Sequence, residues 1–313
     1  MNEKENSPLL GGIEAGGTKY VCAVATDPAE PLMERRFPTG NDPERTVREA
    51  ADFFAEAAES YGPVQAMGIG TFGPADVHPR SPGFGSILTT PKEGWTGFNV
   101  VEALRKKMDR PVPVAFETDV NAAVLAEAEY GAGRNLRYVA YVTIGTGIGG
   151  AFLNDGQLLH GRMHPEIGHL VVPDYDRDFG KSTNVCPFHP SCWEGRASGP
   201  AIQKRWEAPG EELPETHEAW DLQAKYLAAG CVSLTAAWSP DVIILGGGVS
   251  QVAGLVDRVR RDFEELAGGY WSLPALDRYL TTPELDQQAG IVGSLLMARR
   301  LLDCESDEVS SPA

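Results

Sequence analysis

Residues 138–156 read Tyr-Val-Ala-Tyr-Val-Thr-Ile-Gly-Thr-Gly-Ile-Gly-Gly-Ala-Phe-Leu-Asn-Asp-Gly. The apolar, β-branched run Tyr138–Ile144 is a buried strand by pattern. Gly145-x-Gly147-x-x-Gly150 has the spacing of a dinucleotide fingerprint, but that fingerprint needs a helix directly after the turn, with its N-terminus on the pyrophosphate. Here Ala151-Phe152-Leu153 runs on into Asn154-Asp155-Gly156, and Asn-Asp-Gly flanked by apolar residues signals a hairpin. The unit is strand, glycine turn, strand. The same unit opens the chain: Leu9-Leu10-Gly11-Gly12-Ile13, then Glu14-Ala-Gly-Gly-Thr-Lys19, then Tyr20–Ala25, stopping at Asp27-Pro28. Two such units without obvious sequence identity point to a duplicated architecture.

Outward from these turns, strands alternate with helices. Val47, Ala50, Phe53, Phe54 and Ala57 recur at helical spacing over 43–61, opened by Asn41-Asp42-Pro43. Val64–Thr71 reads as a strand, Val100–Met108 as a helix and Val112–Phe116 as a strand. Residues 72–99 are rich in Gly, Pro and Thr, and a loop that long is commonly functional. Glu117-Thr118-Asp119 opens a helix through Tyr130. After an irregular stretch over 173–197 come helices, then the strand Val242–Leu245 ending in Gly246-Gly247-Gly248, a helix to about Leu266 and a last helix over Gln288–Leu302. The polar tail 303–313 is expected to fray. The alternation predicts two α/β domains with a cleft between them.

Composition limits the function. The 313 residues carry 44 acidic and 27 basic side chains, a net charge of −17. Such a surface repels nucleic acid and anionic lipid, so neither is expected as a partner. No apolar run reaches membrane-spanning length, and Met1–Leu10 lacks the apolar core of a secretory signal, so a cytoplasmic protein is expected. Five cysteines do not describe a disulfide framework. Cys22, Cys231 and Cys304 are isolated, whereas Cys186 and Cys192 flank His189.

Taken one at a time the glycine turns are weak signals; glycine lets backbone N–H groups approach an anion, but it also simply makes turns. Their order with the other motifs is specific. Glu14–Lys19, Glu117-Thr-Asp-Val-Asn121, Thr143–Gly150, Glu166-Ile-Gly-His169, Cys186-Pro-Phe-His-Pro-Ser-Cys-Trp-Glu194 and Ile244–Gly248 resemble the ordered motifs of the ROK family of sugar kinases. Glu14 in place of the usual Asp, the Thr89-Thr-Pro-Lys-x-x-Gly-Trp95 loop and Cys-x-x-His-x-x-Cys are similar to the fructokinase branch. The resemblance implies the two-domain sugar kinase/Hsp70/actin-like, ribonuclease H-like α/β fold. Its N-terminal domain would be 1–118, with the helix near 288–303 packing back on it, and its C-terminal domain 119–287.

The resemblance also implies roles. Asp119 would be the general base that takes the proton of the sugar's terminal hydroxyl as the oxygen attacks the γ-phosphorus; an Asp ahead of a helix is also a common N-cap. Glu166, His169 and Glu194 would hold the sugar, and Asn121 would either hold a sugar hydroxyl or simply support the turn. Gly16, Gly17, Thr18 and Lys19 would form the first ATP phosphate turn, Lys19 being either a phosphate contact or a solvated side chain. Thr143, Gly145, Thr146 and Gly147 would form the second, and Gly246, Gly247 and Gly248 the adenosine segment or merely a tight turn. Glu14 stands where an acidic group would hold Mg²⁺, its extra methylene moving the carboxylate by about 1.5 Å.

His169, Cys186, His189 and Cys192 form a donor set for a closed, structural Zn²⁺, with a Cys186–Cys192 disulfide as the alternative. Residues 173–194, which have few apolar side chains, would depend on that ion. His164, ahead of Pro165, reads as a bystander. The expected activity is ATP-dependent phosphorylation of fructose by a homodimer, with another hexose (glucose, mannose or an N-acetylhexosamine) as the alternative substrate. A sugar-sensing ROK-type transcriptional regulator is the rival of another class; only about eight residues precede the first strand, too few for a DNA-binding domain.

Overall fold

The computed structural model describes residues 7–310. In chain order its elements are β1 (Leu10–Ala15), β2 (Lys19–Ala25), β3 (Met33–Pro38), α1 (Pro43–Tyr61), β4 (Ala66–Thr71), α2 (Val100–Arg105), β5 (Val114–Thr118), α3 (Asp119–Tyr130), β6 (Tyr138–Ile144), β7 (Ile148–Asn154), β8 (Gln157–Leu158), α4 (Trp193–Ala197), α5 (Gly199–Trp206), α6 (Ala219–Trp238), β9 (Val242–Gly246), α7 (Leu255–Ala267), α8 (Leu276–Tyr279), β10 (Leu280–Thr281) and α9 (Ala289–Ser310). The described residues form two compact units. The first holds residues up to Ala126, His160–His164 and residues from Gln288 onward; the second holds Glu127–Leu159 and Pro165–Gln287. The division runs through α3 rather than ahead of it.

The first unit is built on a five-stranded sheet in the order β3-β2-β1-β4-β5. β1–β2 and β2–β3 pair antiparallel, whereas β1–β4 and β4–β5 pair parallel. One face packs on α1, whose Val47, Ala50, Phe53, Phe54 and Ala57 are buried as their helical spacing predicts. The other face receives α9, and glycine decides how closely. A Cβ on Gly68 would lie 1.9 Å from the Ser294 carbonyl oxygen, and one on Gly293 would lie 1.8 Å from the Ala122 carbonyl oxygen. Ser294 Oγ accepts from Gly70 N–H at 3.2 Å and lies 2.9 Å from the Ile13 carbonyl oxygen, joining helix to sheet across the bare strands.

The second unit repeats the connectivity. Its sheet runs β10-β9-β6-β7-β8, with β6–β7 and β7–β8 antiparallel and β6–β9 and β9–β10 parallel. Strand for strand this is the first sheet again, with β6 in the place of β1 and β9 in the place of β4. The architecture is the two-domain actin-like α/β fold expected from the motifs. Both glycine turns fall in the first hairpin of their sheet, β1–β2 and β6–β7.

Several details differ from the sequence reading. Strand β3 is additional: Met33-Glu-Arg-Arg-Phe-Pro38 is an edge strand with only Phe37 buried, and its charged residues conceal the alternation. The strand expected over 112–116 lies at Val114–Thr118. The last helix continues past Leu302 to Ser310, so a tail fraying from 303 gives way to helix, and residues 311–313 lie outside the described residues. Among the described residues no helix is long and apolar enough to cross a membrane.

The glycine contact yields a test. Gly68→Ala should cost about 1–3 kcal/mol of stability, because its methyl meets a helix backbone that cannot turn aside. Gly17→Ala, whose methyl would meet nothing within 4 Å, should leave stability unchanged. Thermal and urea melts of the two variants make the comparison.

Candidate functional site

In the first unit the turn Gly16–Lys19 is closed by Gly16 N–H donating to the Lys19 carbonyl at 2.9 Å. A Cβ on Gly16 would lie 2.9 Å from that same oxygen, so the turn's own geometry excludes a side chain there. Gly17 is different. Nothing stands within 4 Å of a Cβ there, and its φ is outside the left-handed region, so internal packing does not call for glycine. Space left beside a bare backbone N–H is what an approaching anion requires. Lys19 is half-buried at the start of β2, opposite Pro38.

Glu14 lies at the end of β1, and burial raises its carboxyl pKa, partly offset by the charges of Lys19 and Arg36. Its Oε2 is buried with no hydrogen-bond partner. Gly290 on α9 makes room for the longer side chain, since a Cβ there would lie 2.7 Å from Glu14 Cδ.

Asp119 opens α3 and is half-buried. The cap of that helix is its neighbour: Thr118 Oγ1 accepts from Asn121 N–H at 3.2 Å, the N-cap to N3 bond. Asp119 Oδ1 accepts from Val120 N–H at 2.8 Å. Asn121, almost fully buried, donates its Nδ2 to Glu117 Oε2 at 2.7 Å, and Glu117 Oε1 lies 3.0 Å from His160 Nε2. His160 went unremarked in the sequence, since nothing near it repeats or carries a motif. His164, expected as a bystander, is 4% exposed and accepts from Ala75 N–H at 3.1 Å. Both histidines belong to the short segment that returns to the first unit, His160 meeting Glu117 on β5 and His164 meeting Ala75 in the loop after β4.

In the second unit Gly145 N–H donates to the Gly147 carbonyl at 2.9 Å, and Gly199 N–H, at the start of α5, donates to the Gly145 carbonyl at 2.7 Å. A Cβ on Gly145 would meet nothing within 4 Å. On Gly147 it would lie 2.6 Å from Glu194 Oε2. That oxygen accepts from Ile148 N–H at 3.0 Å, so Glu194 is fastened to the second glycine turn. Thr143 is half-buried at the end of β6, and Thr146 is exposed at the tip. At the third run, Gly246 lies against Tyr141 and Gly247 (φ +87°) against the Ile144 backbone, whereas Gly248 meets nothing. The sequence treated these glycines as equals. Packing accounts for Gly16, Gly147, Gly246 and Gly247 and leaves Gly17, Gly145 and Gly248 open.

One nitrogen or sulfur from each of His169, Cys186, His189 and Cys192 lies within 4.8 Å of the other three, a compact metal-ligand set. Cys186 and Cys192 are free rather than bridged. His169 Nδ1 is buried without a partner. Cys192 Sγ accepts from Gly195 N–H at 3.3 Å, but burial outweighs that bond and pushes the thiol up to about 11. Two soft sulfurs and two imidazoles fit a tetrahedral borderline cation. Glu166 stands at the start of the turn carrying His169; burial first, and the charge of Glu194 second, push its carboxyl up to about 7. The irregular stretch has a second anchor. Fully buried Asp176 accepts from Tyr226 Oη at 2.7 Å and pairs with Arg205 at 3.0 Å and Arg196 at 3.5 Å. Residues near Asp176 are therefore held by ion pairs that do not involve the Cys/His set.

Two sheets of one connectivity, each with a glycine turn in its first hairpin, define the actin-like class of two-domain proteins to which sugar kinases belong. Within that class the chain matches the ROK family over residues 10–301, and it belongs to that family. It is 38% identical over 294 residues to the fructokinase of Pediococcus pentosaceus, covering 94% of this chain and 99% of that one. It is 40% identical over 301 residues to the fructokinase of Zymomonas mobilis, covering 94% and 98%. Among solved structures, a ROK family glucokinase from Streptomyces griseus in complex with glucose and AMPPNP aligns with a TM-score of 0.75 at 26% identity, over 93% of this chain and 99% of that one.

Because Thr118 caps α3, cap and carboxylate can be tested apart. Thr118→Val should lower stability by about 1 kcal/mol, whereas Asp119→Asn should cost only a few tenths, roughly the scatter of a neutral change. Equilibrium urea unfolding measures both.

Proposed function

We propose that this protein is a fructokinase that transfers the γ-phosphoryl group of ATP to the terminal hydroxyl of fructose, giving fructose 6-phosphate and ADP. The observation that carries this reading is the near-full-length similarity to fructokinases at 38% and 40% identity. In this reading Asp119 accepts the hydroxyl proton while the oxygen bonds to phosphorus and the bond to ADP breaks. The Thr118 cap supports the base role, because it relieves Asp119 of the structural duty that an Asp at a helix start often has. Asn121, Glu166, His169 and Glu194 bind the sugar. A carboxylate accepts hydrogen bonds from hydroxyls, and Asn121, its Nδ2 donated to Glu117, offers its oxygen in the same sense.

Gly17 and Gly145 supply the open backbone of the two phosphate turns, and Gly248 that of the adenosine segment, with Thr18, Lys19, Thr143 and Thr146 beside them. Mg²⁺ suits the orphaned Glu14 Oε2, directly or through water; when bound it neutralises charge developing on the phosphates. Zn²⁺ is the ion for the four-ligand set, where it has a structural role. A homodimer is the assembly implied by the family resemblance.

A hexose panel with coupled ADP detection tests the assignment. Turnover should be highest with fructose; preference for glucose would move the substrate, and no turnover with any sugar would remove the activity. Asp119→Asn should reduce kcat by roughly 10²–10⁴ while both substrates still bind, and near-normal turnover would remove its role as base. Elemental analysis should find one zinc per chain. Cys192→Ser should lose the zinc and lower both the melting temperature and sugar affinity, with nucleotide affinity less affected.

A further inference from the structure

The Thr89–Trp95 loop stands out in the sequence, yet none of the roles above uses it. Its contacts lead to the first glycine turn. Trp95 is wholly buried, its ring centroid 5.9 Å from that of Tyr20 and 5.3 Å from that of Phe72, and its Nε1 donates to the Gly40 carbonyl at 2.8 Å. Lys92 Nζ donates to the Thr39 carbonyl at 3.1 Å. Thr39 is 7% exposed and passes the constraint on through two bonds. Its Oγ1 donates to the Gly16 carbonyl at 2.7 Å, and its N–H donates to the Thr18 carbonyl at 2.9 Å.

In a planar trans peptide the C=O and the following N–H point in opposite directions. Holding the Gly16 carbonyl toward Thr39 therefore aims Gly17 N–H the other way, and holding the Thr18 carbonyl does the same for Lys19 N–H. Glycine alone would leave the Gly16–Gly17 peptide free to swing. Preorganised donors are worth more than donors that must be oriented when the ligand arrives.

We propose that Thr39 is a positioning residue for nucleotide binding: it locks the Gly16–Gly17 peptide so that its N–H faces the phosphates, and Lys92 on its carbonyl and Trp95 on the adjoining Gly40 carbonyl brace the segment that carries it. This rests on the reading of Gly16–Lys19 as a phosphate turn. It makes the Thr89–Trp95 loop a buttress of the ATP site, whatever sugar the enzyme takes.

The test measures Mg–ATP binding without sugar, by isothermal titration calorimetry, on the full chain. Thr39→Val keeps the shape and the backbone bond but removes the hydroxyl donor; it should weaken ATP binding about five- to tenfold, the value of one hydrogen bond. Thr39→Ser should restore wild-type binding, and Lys92→Met should weaken it in the same direction by less. KM for fructose should stay within about twofold throughout, a selectivity that general destabilisation would not give. Gly17→Ala serves as the reference. If Gly17→Ala weakens ATP binding and Thr39→Val binds like wild type, the role of Thr39 is overturned. If Gly17→Ala itself binds normally, the reading of the turn has failed instead. Should Thr39→Val not fold, Lys92→Met decides, and unchanged ATP affinity in that variant overturns the proposal.

Discussion

Backbone can approach backbone, or an anion, only where no Cβ stands between them, and this protein uses that constraint in two ways. Where glycine faces protein, it closes the fold: Gly68 and Gly293 bring α9 onto the sheet and α3 at distances that no side chain would permit. Where glycine faces open space, as at Gly17, Gly145 and Gly248, the chain forgoes side-chain packing and pays backbone entropy for nothing inside the fold. A ligand that comes close to the main chain gives that entropy a purpose. The first group explains the architecture, and the second marks the proposed nucleotide surface.

Buried carboxylates divide along similar lines. Glu127 is fully buried and accepts N–H bonds from Ala132, Glu284 and Leu285, so its charge is answered by backbone dipoles. Asp176 is answered by two arginines and a tyrosine. Glu14 has a buried oxygen without a partner. Burying a charge is costly unless it is paired, and burial raises the Glu14 carboxyl pKa against the pull of Lys19 and Arg36. Burial and the neighbouring charge of Glu194 raise the pKa of Glu166.

The supports of the site are as informative as the site. Thr118 takes over helix capping from Asp119, Glu117 and His160 fix the Asn121 amide, and Thr39 holds the carbonyls of the first turn. Each leaves a proposed functional atom with fewer orientations to choose from. Precision of this kind comes from hydrogen bonds to the backbone and between side chains, added to the packing that limits each rotamer.

The amino-acid sequence by itself determined the two strand–turn–strand units, the amphipathic α1, the order of the family motifs and the Cys/His set. All of these are written in short windows: hydrophobic period, turn residues, ligand spacing. It also put Asp119 at a strand–helix junction, but it could not say whether Asp119 was the cap, because that depends on which of two adjacent side chains turns back onto Asn121 N–H. Only the tertiary structure decided which glycines face protein and which face space. It alone returned His160 and His164 to the first unit, where they meet Glu117 and Ala75, 43 and 89 residues away. The contact between Ser294 and Gly70 spans 224 residues. Such pairings leave no local period or motif behind. They exist because two sheets of fixed connectivity carry distant segments to the same place, and that is settled only when the whole chain has packed.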